Sequence, residues 1–134
     1  MKQGNILFVD LTSSTSHVER DEGLFERFLG GTAAATELLF KYGRPDLDPY
    51  TPEAPIIFAV GPFNSLYPVA TKTVALFKSP QSGDLGESHA GGRLSMALRD
   101  ADIDALVVAG KAPSPVYVAI ENHKVVFNSA KTFW

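Results

Sequence analysis

Cysteine does not occur among the 134 residues. Its absence removes disulfides, thiolate nucleophiles, zinc–thiolate sites and protein-ligated iron–sulfur clusters from the chemistry this chain can supply by itself. Positive charge is in short supply too. Twelve Lys and Arg stand against 15 Asp and Glu, a formal charge of −3, so no broad electrostatic hold on nucleic acid or anionic membrane is expected. Long apolar runs are missing as well: Met1-Lys2-Gln3-Gly4-Asn5 leads into a short run that Asp10 closes, too brief for a secretory h-region or a membrane span. The cytoplasm is the expected compartment. The dinucleotide fingerprint, the nucleotide P-loop and the Gly-x-Ser-x-Gly elbow are all absent, which disfavours NAD, ATP and serine-hydrolase chemistry.

What is present is the composition of a folded protein, 45% hydrophobic and 20% charged. The length predicts a single domain spanning residues 1–134, or the larger part of one. Ile6-Leu7-Phe8-Val9, turn residues from Asp10 to Ser14, and His17-Val18-Glu19 predict an opening hairpin. Asp21 is placed to cap a short helix whose apolar stripe is Leu24, Phe25, Phe28 and Leu29, with Gly30-Gly31 ending it. Thr32 is placed to cap a second helix that stops near Gly43. Residues 44–55 carry four prolines and read as a surface connection. Strands are predicted at 56–60 and 73–77, an irregular glycine-containing stretch at 81–92, a two-turn helix around Leu94 and Leu98, and strands at 106–108, 116–120 and 125–127. The last two are joined at Asn122-His123. Without strict β–α alternation, the order favours an α+β fold with antiparallel or mixed sheets and a few short helices.

Three histidines lie far apart, none with a second ligand at helical spacing, so no metal site is signalled. His17 and His123 read as surface residues. His89 differs because Ser88-His89-Ala90-Gly91-Gly92 runs directly into a predicted helix. Free amides and the helix dipole there can seat an anion, and the glycine pair lets backbone approach a ligand closely. The plainer alternative is that Gly91-Gly92 only turns the chain and His89 is solvated. Lys72 and Lys78 flank a strand, either as solubilising ends or as partners for an anion. Asp100, Asp102 and Asp104 read as solvent-facing acids.

Several segments in this order resemble the amino-terminal domain of the tungsten- or molybdenum-dependent aldehyde ferredoxin oxidoreductase family. They are the hairpin with Val9-Asp10-Leu11-Thr12, then Phe28-Leu29-Gly30-Gly31, Asp48-Pro49-Tyr50-Thr51-Pro52-Glu53 and Ile56-Ile57-Phe58-Ala59-Val60-Gly61-Pro62. Lys78-Ser79-Pro80, Gly91-Gly92 and the stretch from Asp104 to Ala112 complete the match, with Pro115-Val116-Tyr117-Val118 beyond. The resemblance implies an α+β base that cradles a tungsten- or molybdenum-bis-pterin (molybdopterin-type) cofactor with a bridging magnesium. It implies an oxidoreductase that converts aldehydes to carboxylic acids with ferredoxin as the electron-transfer partner, its iron–sulfur cluster held by cysteines of later helical domains.

By the same resemblance, Lys72 falls where the family has a pterin-contacting arginine. His89-Ala90-Gly91-Gly92 falls on its "N-S-G-G" stretch, which contacts cofactor phosphate and magnesium. Both positions depart from the family pattern, and Arg93 is the neighbouring cation that can compensate. The expected cofactor-binding set is therefore Lys72, His89, Ala90, Gly91, Gly92 and Arg93, with no catalytic and no metal-ligating residue in this chain. The expected role is a cofactor cradle, not catalytic alone, that works with the remainder of a larger oxidoreductase or with other subunits. Two alternatives remain open. One is an interaction domain that forms homo-oligomers through sheet edges and Phe133-Trp134; the other is a small anion-binding module.

Overall fold

Residues 4–133 are described by the computed structural model. Strands β1 (Asn5–Asp10) and β2 (Thr15–Arg20) form the opening hairpin, followed by α1 (Glu22–Phe28), α2 (Gly31–Tyr42), β3 (Ile56–Val60), β4 (Thr73–Lys78) and β5 (Leu85–Ala90). After these come α3 (Arg93–Asp100), β6 (Ala105–Ala109), β7 (Val116–Glu121) and β8 (Lys124–Ser129). Six strands make one sheet in the order β2-β1-β6-β3-β4-β5. Only β1 and β6 pair in parallel; every other neighbouring pair is antiparallel. The fold is α+β with a mixed sheet, as the element order led one to expect.

The central strands read as continuous apolar runs because both faces of the sheet are covered. Alternate side chains explain it. Ile6 and Phe8 join Leu38, Ile57, Val74 and Leu76 on the face beneath α1 and α2. Leu7 and Val9 join Val60, Leu98, Ile103 and Leu106 on the opposite face. There α3 and the β7–β8 hairpin supply the cover, the hairpin through Val118, Ile120, Val125 and Phe127. Buried side chains of this size each stabilise the fold by roughly 1.5–3 kcal/mol.

Asp21 caps α1, its Oδ1 accepting the Leu24 N–H at 2.9 Å. The glycine pair does not end that helix. Leu29 takes the left-handed position (φ 59°), and Gly30 is instead the residue before α2. At φ +95° a Cβ on Gly30 would sit 2.8 Å from the Val60 carbonyl oxygen, so glycine is needed for this close helix-to-sheet approach. Thr32 accordingly does not cap α2. It lies one residue inside the first turn, and its hydroxyl is directed elsewhere.

The stretch 81–92 is not irregular throughout, because Leu85–Ala90 forms the edge strand β5, paired to β4 from Thr73↔Ala90 to Lys78↔Leu85. Its polar sequence hid it: an edge strand with largely exposed side chains needs backbone pairing more than apolar alternation. Gly86 belongs there because a Cβ would collide with the Phe77 ring, which covers it from β4. The β7–β8 turn sits at Asn122-His123, both with positive φ, as a two-residue hairpin loop requires. Asp104, expected in solvent, is buried at 3% exposure. It accepts the Gly4 N–H at 2.7 Å and the Asn5 N–H at 3.1 Å. Phe133 is exposed, edge-on to Tyr117, while Trp134 lies outside the described residues. No helix among the described residues is long and apolar enough to cross a membrane.

Candidate functional site

Antiparallel pairing of β4 with β5 puts the start of one beside the end of the other. Thr73 faces Ala90, so Lys72 and Gly91 become neighbours although 19 positions separate them in the chain. A Cβ built on Gly91 would lie 3.9 Å from the Lys72 Nζ, which places the ammonium over the glycine backbone. Gly92 follows at φ +105°, with nothing within 4 Å of where its Cβ would be. It is the N-cap of α3, and no side chain accepts from that helix's first amides. Arg93 is the first helical residue. Residues 87–94 are all exposed, so the surface is open to a ligand.

The backbone of this surface is braced from below. Ser95, fully buried, donates its hydroxyl to the Gly92 carbonyl at 3.2 Å. Asn64, also buried, donates Nδ2 to the Ser95 carbonyl at 2.5 Å. At the other end of α3, Arg99 donates to the Gly61 carbonyl at 3.1 Å and pairs with Asp104 at 3.4 Å. The β3–β4 connection and α3 are thus tied at two points, and the connection presents the exposed side chains Phe63, Leu66, Tyr67 and Val69.

His89 is not in the loop ahead of α3, as its sequence context had suggested, but within β5. The register Val74↔His89 and Leu76↔Glu87 puts both polar residues on the face shared with Val74 and Leu76, the one that α2 covers. Glu87 Oε1 receives the Thr32 hydroxyl at 2.9 Å and meets His89 Nε2 at 2.7 Å. These two bonds, the Thr32 hydroxyl foremost, hold the Glu87 carboxyl below its usual range. Ala90 closes the strand opposite Thr73. Of the six candidate residues, Lys72, Ala90, Gly91, Gly92 and Arg93 therefore gather at one end of the β4–β5 pair, with His89 one pleat away.

Sequence reasoning missed Glu87, Thr32, Asn64 and Ser95. Only a recognised strand at 85–90 would have exposed the i, i+2 relation of Glu87 and His89. The two flanking lysines are now distinguishable. Lys78 donates to the Pro45 and Leu47 carbonyls, each at 2.6 Å; Lys72 has no such partner among the described residues.

The donors at this surface are backbone amides, an ammonium and a guanidinium, which suit phosphate oxygens. They do not suit a metal ion held directly, and no group of three or more His, Asp or Glu side chains among the described residues is arranged to hold one. A groove of about 340 Å³, lined in part by Leu39, Phe40, Leu47, Pro55 and Leu85, lies at the opposite end of the β4–β5 pair.

Residues 6–134 match the family described as "Aldehyde ferredoxin oxidoreductase, N-terminal domain". The chain is 34% identical over 133 residues to the "Tungsten-containing aldehyde ferredoxin oxidoreductase" of Pyrococcus furiosus, covering 98% of this chain and 22% of that protein. It is also 34% identical over 135 residues to the "Aliphatic sulfonate oxidoreductase, WOR-like subunit" of the same organism, with the same coverage. Among solved structures, a chain of the "Active site complex BamBC of Benzoyl Coenzyme A reductase in complex with 1,5 Dienoyl-CoA" superposes with a TM-score of 0.91 at 30% identity, covering 97% of this chain and 20% of that one. The chain spans about a fifth of the length of these relatives. Together, the match over nearly every residue and the shared backbone establish that this chain belongs to the aldehyde ferredoxin oxidoreductase N-terminal domain family.

Proposed function

We propose that this chain is a structural platform of a tungsten–pterin oxidoreductase, on which the cofactor's phosphate rests against Gly91, Gly92 and the first turn of α3. Lys72 and Arg93 supply countercharge, Ala90 sets the height of the strand end, and His89 borders the site. The observation that carries this reading is the meeting of an unoccluded, uncapped glycine pair with the Lys72 ammonium 3.9 Å from where a Gly91 Cβ would be. Backbone amides and a fixed cation are the preferred seat for phosphate, and they need no reorganisation to receive it. Family membership adds that the relatives carry tungsten in their names.

When bound, such a group supplies the redox chemistry; this chain's residues bind and orient. Cluster ligands and any substrate pocket would come from the rest of a longer protein, with ferredoxin as the electron acceptor, and a magnesium ion would add countercharge to the phosphate held by Gly91, Gly92, Lys72 and Arg93. In this reading 1–134 acts as one unit. The open edges of β2 and β5, with exposed Phe63, Tyr67 and Val69, support a second reading, a module that self-associates through these surfaces.

Calorimetry with inorganic pyrophosphate tests the first. Binding by the wild-type chain, weakened in Gly91→Ala, is expected. Gly91 tolerates a methyl without strain, since its nearest contact would be an ordinary 3.9 Å, but that methyl occupies the surface. No heat in the wild type would refute the platform. Sedimentation tests the second, which requires concentration-dependent association of the chain.

A further inference from the structure

The side chains gathered at the platform are, with one exception, pure donors. The Lys72 ammonium and Arg93 guanidinium cannot accept a hydrogen bond, nor can the backbone amides of α3. This serves phosphate well and serves a pterin ring poorly, because the ring's amino and amide N–H groups need acceptors.

His89 is the exception, and its chemistry is set by its neighbour. Glu87 Oε1 lies 2.7 Å from His89 Nε2 and already takes the Thr32 hydroxyl at 2.9 Å. An ionised carboxylate only accepts. Nε2 must therefore carry the hydrogen, and in the neutral ring Nδ1 is left with a free lone pair. Thr32 lies in the first turn of α2, which brings no acidic residue there, so its hydroxyl orients Glu87 without competing for it. The His89 side chain is half exposed, on the face of β5 shared with Val74, two residues before Gly91 in the chain.

We propose that Glu87, oriented by Thr32, is a positioning residue that fixes His89 as its Nε2–H tautomer, leaving Nδ1 to accept an N–H of a pterin ring whose phosphate lies on Gly91-Gly92. The inference rests on the platform reading and divides the site in two. Donors read the phosphate; one imposed acceptor reads the ring. A glutamine at position 87 offers an N–H to Nε2, and the ring then moves its hydrogen to Nδ1, where it opposes a pterin N–H.

The test uses the 134-residue chain at pH 8 with two probes, neopterin, which has no phosphate, and inorganic pyrophosphate. Nitrogen-15 NMR of the imidazole is expected to show Nε2 protonated and Nδ1 bare in the wild type, and the reverse in Glu87→Gln. Neopterin affinity should fall about five- to tenfold in Glu87→Gln, the effect of one hydrogen bond turned unfavourable, while pyrophosphate affinity stays within about twofold. Thr32→Val should shift neopterin binding the same way by a smaller factor. A wild-type ring protonated at Nδ1, or a changed tautomer with unchanged neopterin affinity, overturns the assignment. Pyrophosphate binding without any neopterin binding overturns it too, while leaving the platform intact; loss of both in the wild type removes the platform as well.

Discussion

The two ends of the β4–β5 pair use the same residue type for opposite purposes. At one end Lys78 is spent internally, on the carbonyls of Pro45 and Leu47, where it pins the proline-rich connection against the sheet beside an apolar groove. At the other end Lys72 stands over the Gly91 backbone with no such partner among the described residues, next to an uncapped helix start. A lysine that satisfies buried or half-buried carbonyls is a structural part. A lysine held beside open amides is available to a ligand. The difference lies in what surrounds each ammonium, not in the strand at whose two ends they stand.

Both ends hang on one core, and the largest effect is expected from damaging it. Leu38 is fully buried between α2 and the sheet, and Leu38→Ala should cost about 2–5 kcal/mol in denaturant unfolding, weakening both ends together. Next in size, Lys72→Ala should reduce pyrophosphate affinity about tenfold or more by calorimetry while leaving the melting temperature unchanged. Lys78→Met should do the converse, costing about 1–2 kcal/mol of stability, reduced by partial exposure, with pyrophosphate binding intact. If the two lysine variants behave alike, the contrast between the ends fails.

The smallest expected effect is a dependence on pH. The folded-state carboxyl of Glu87 is held below its ordinary 4.5 by Thr32 and His89. Its contribution to stability is therefore fully present above about pH 4.5 and is lost as pH falls through the lower folded-state value. Melting temperatures of Thr32→Val should decline less steeply below pH 4.5 than those of the wild type; parallel curves would show that the hydroxyl does not hold the carboxylate.

The core strands were legible because Ile6 to Val9 and Ile57 to Val60 are buried on both faces or nearly so, and burial writes itself as an apolar run. Asp21 and the Asn122-His123 turn were legible because a side chain or a positive φ at one position decides local structure. The edge strand β5 was not, since its pairing is made by backbone and its side chains face solvent. With β5 unread, His89 was assigned to a loop and its bond to Glu87 was invisible. Thr32 was assigned to a cap that Gly30 fills, because the tight approach of Gly30 to Val60 is a tertiary fact. The glycine pair was legible from its place ahead of a predicted helix and Lys72 from flanking a strand, family resemblance joined them as one cofactor site, and only antiparallel pairing explains why residues so far apart in the chain meet.

Amide chemical-shift mapping with inorganic pyrophosphate tests the central claim most directly. The account predicts perturbations confined to Lys72, Gly91, Gly92, Arg93 and Leu94, and their disappearance in Lys72→Ala. Perturbations centred instead on Phe40 and Leu85, or none anywhere in the chain, would contradict it.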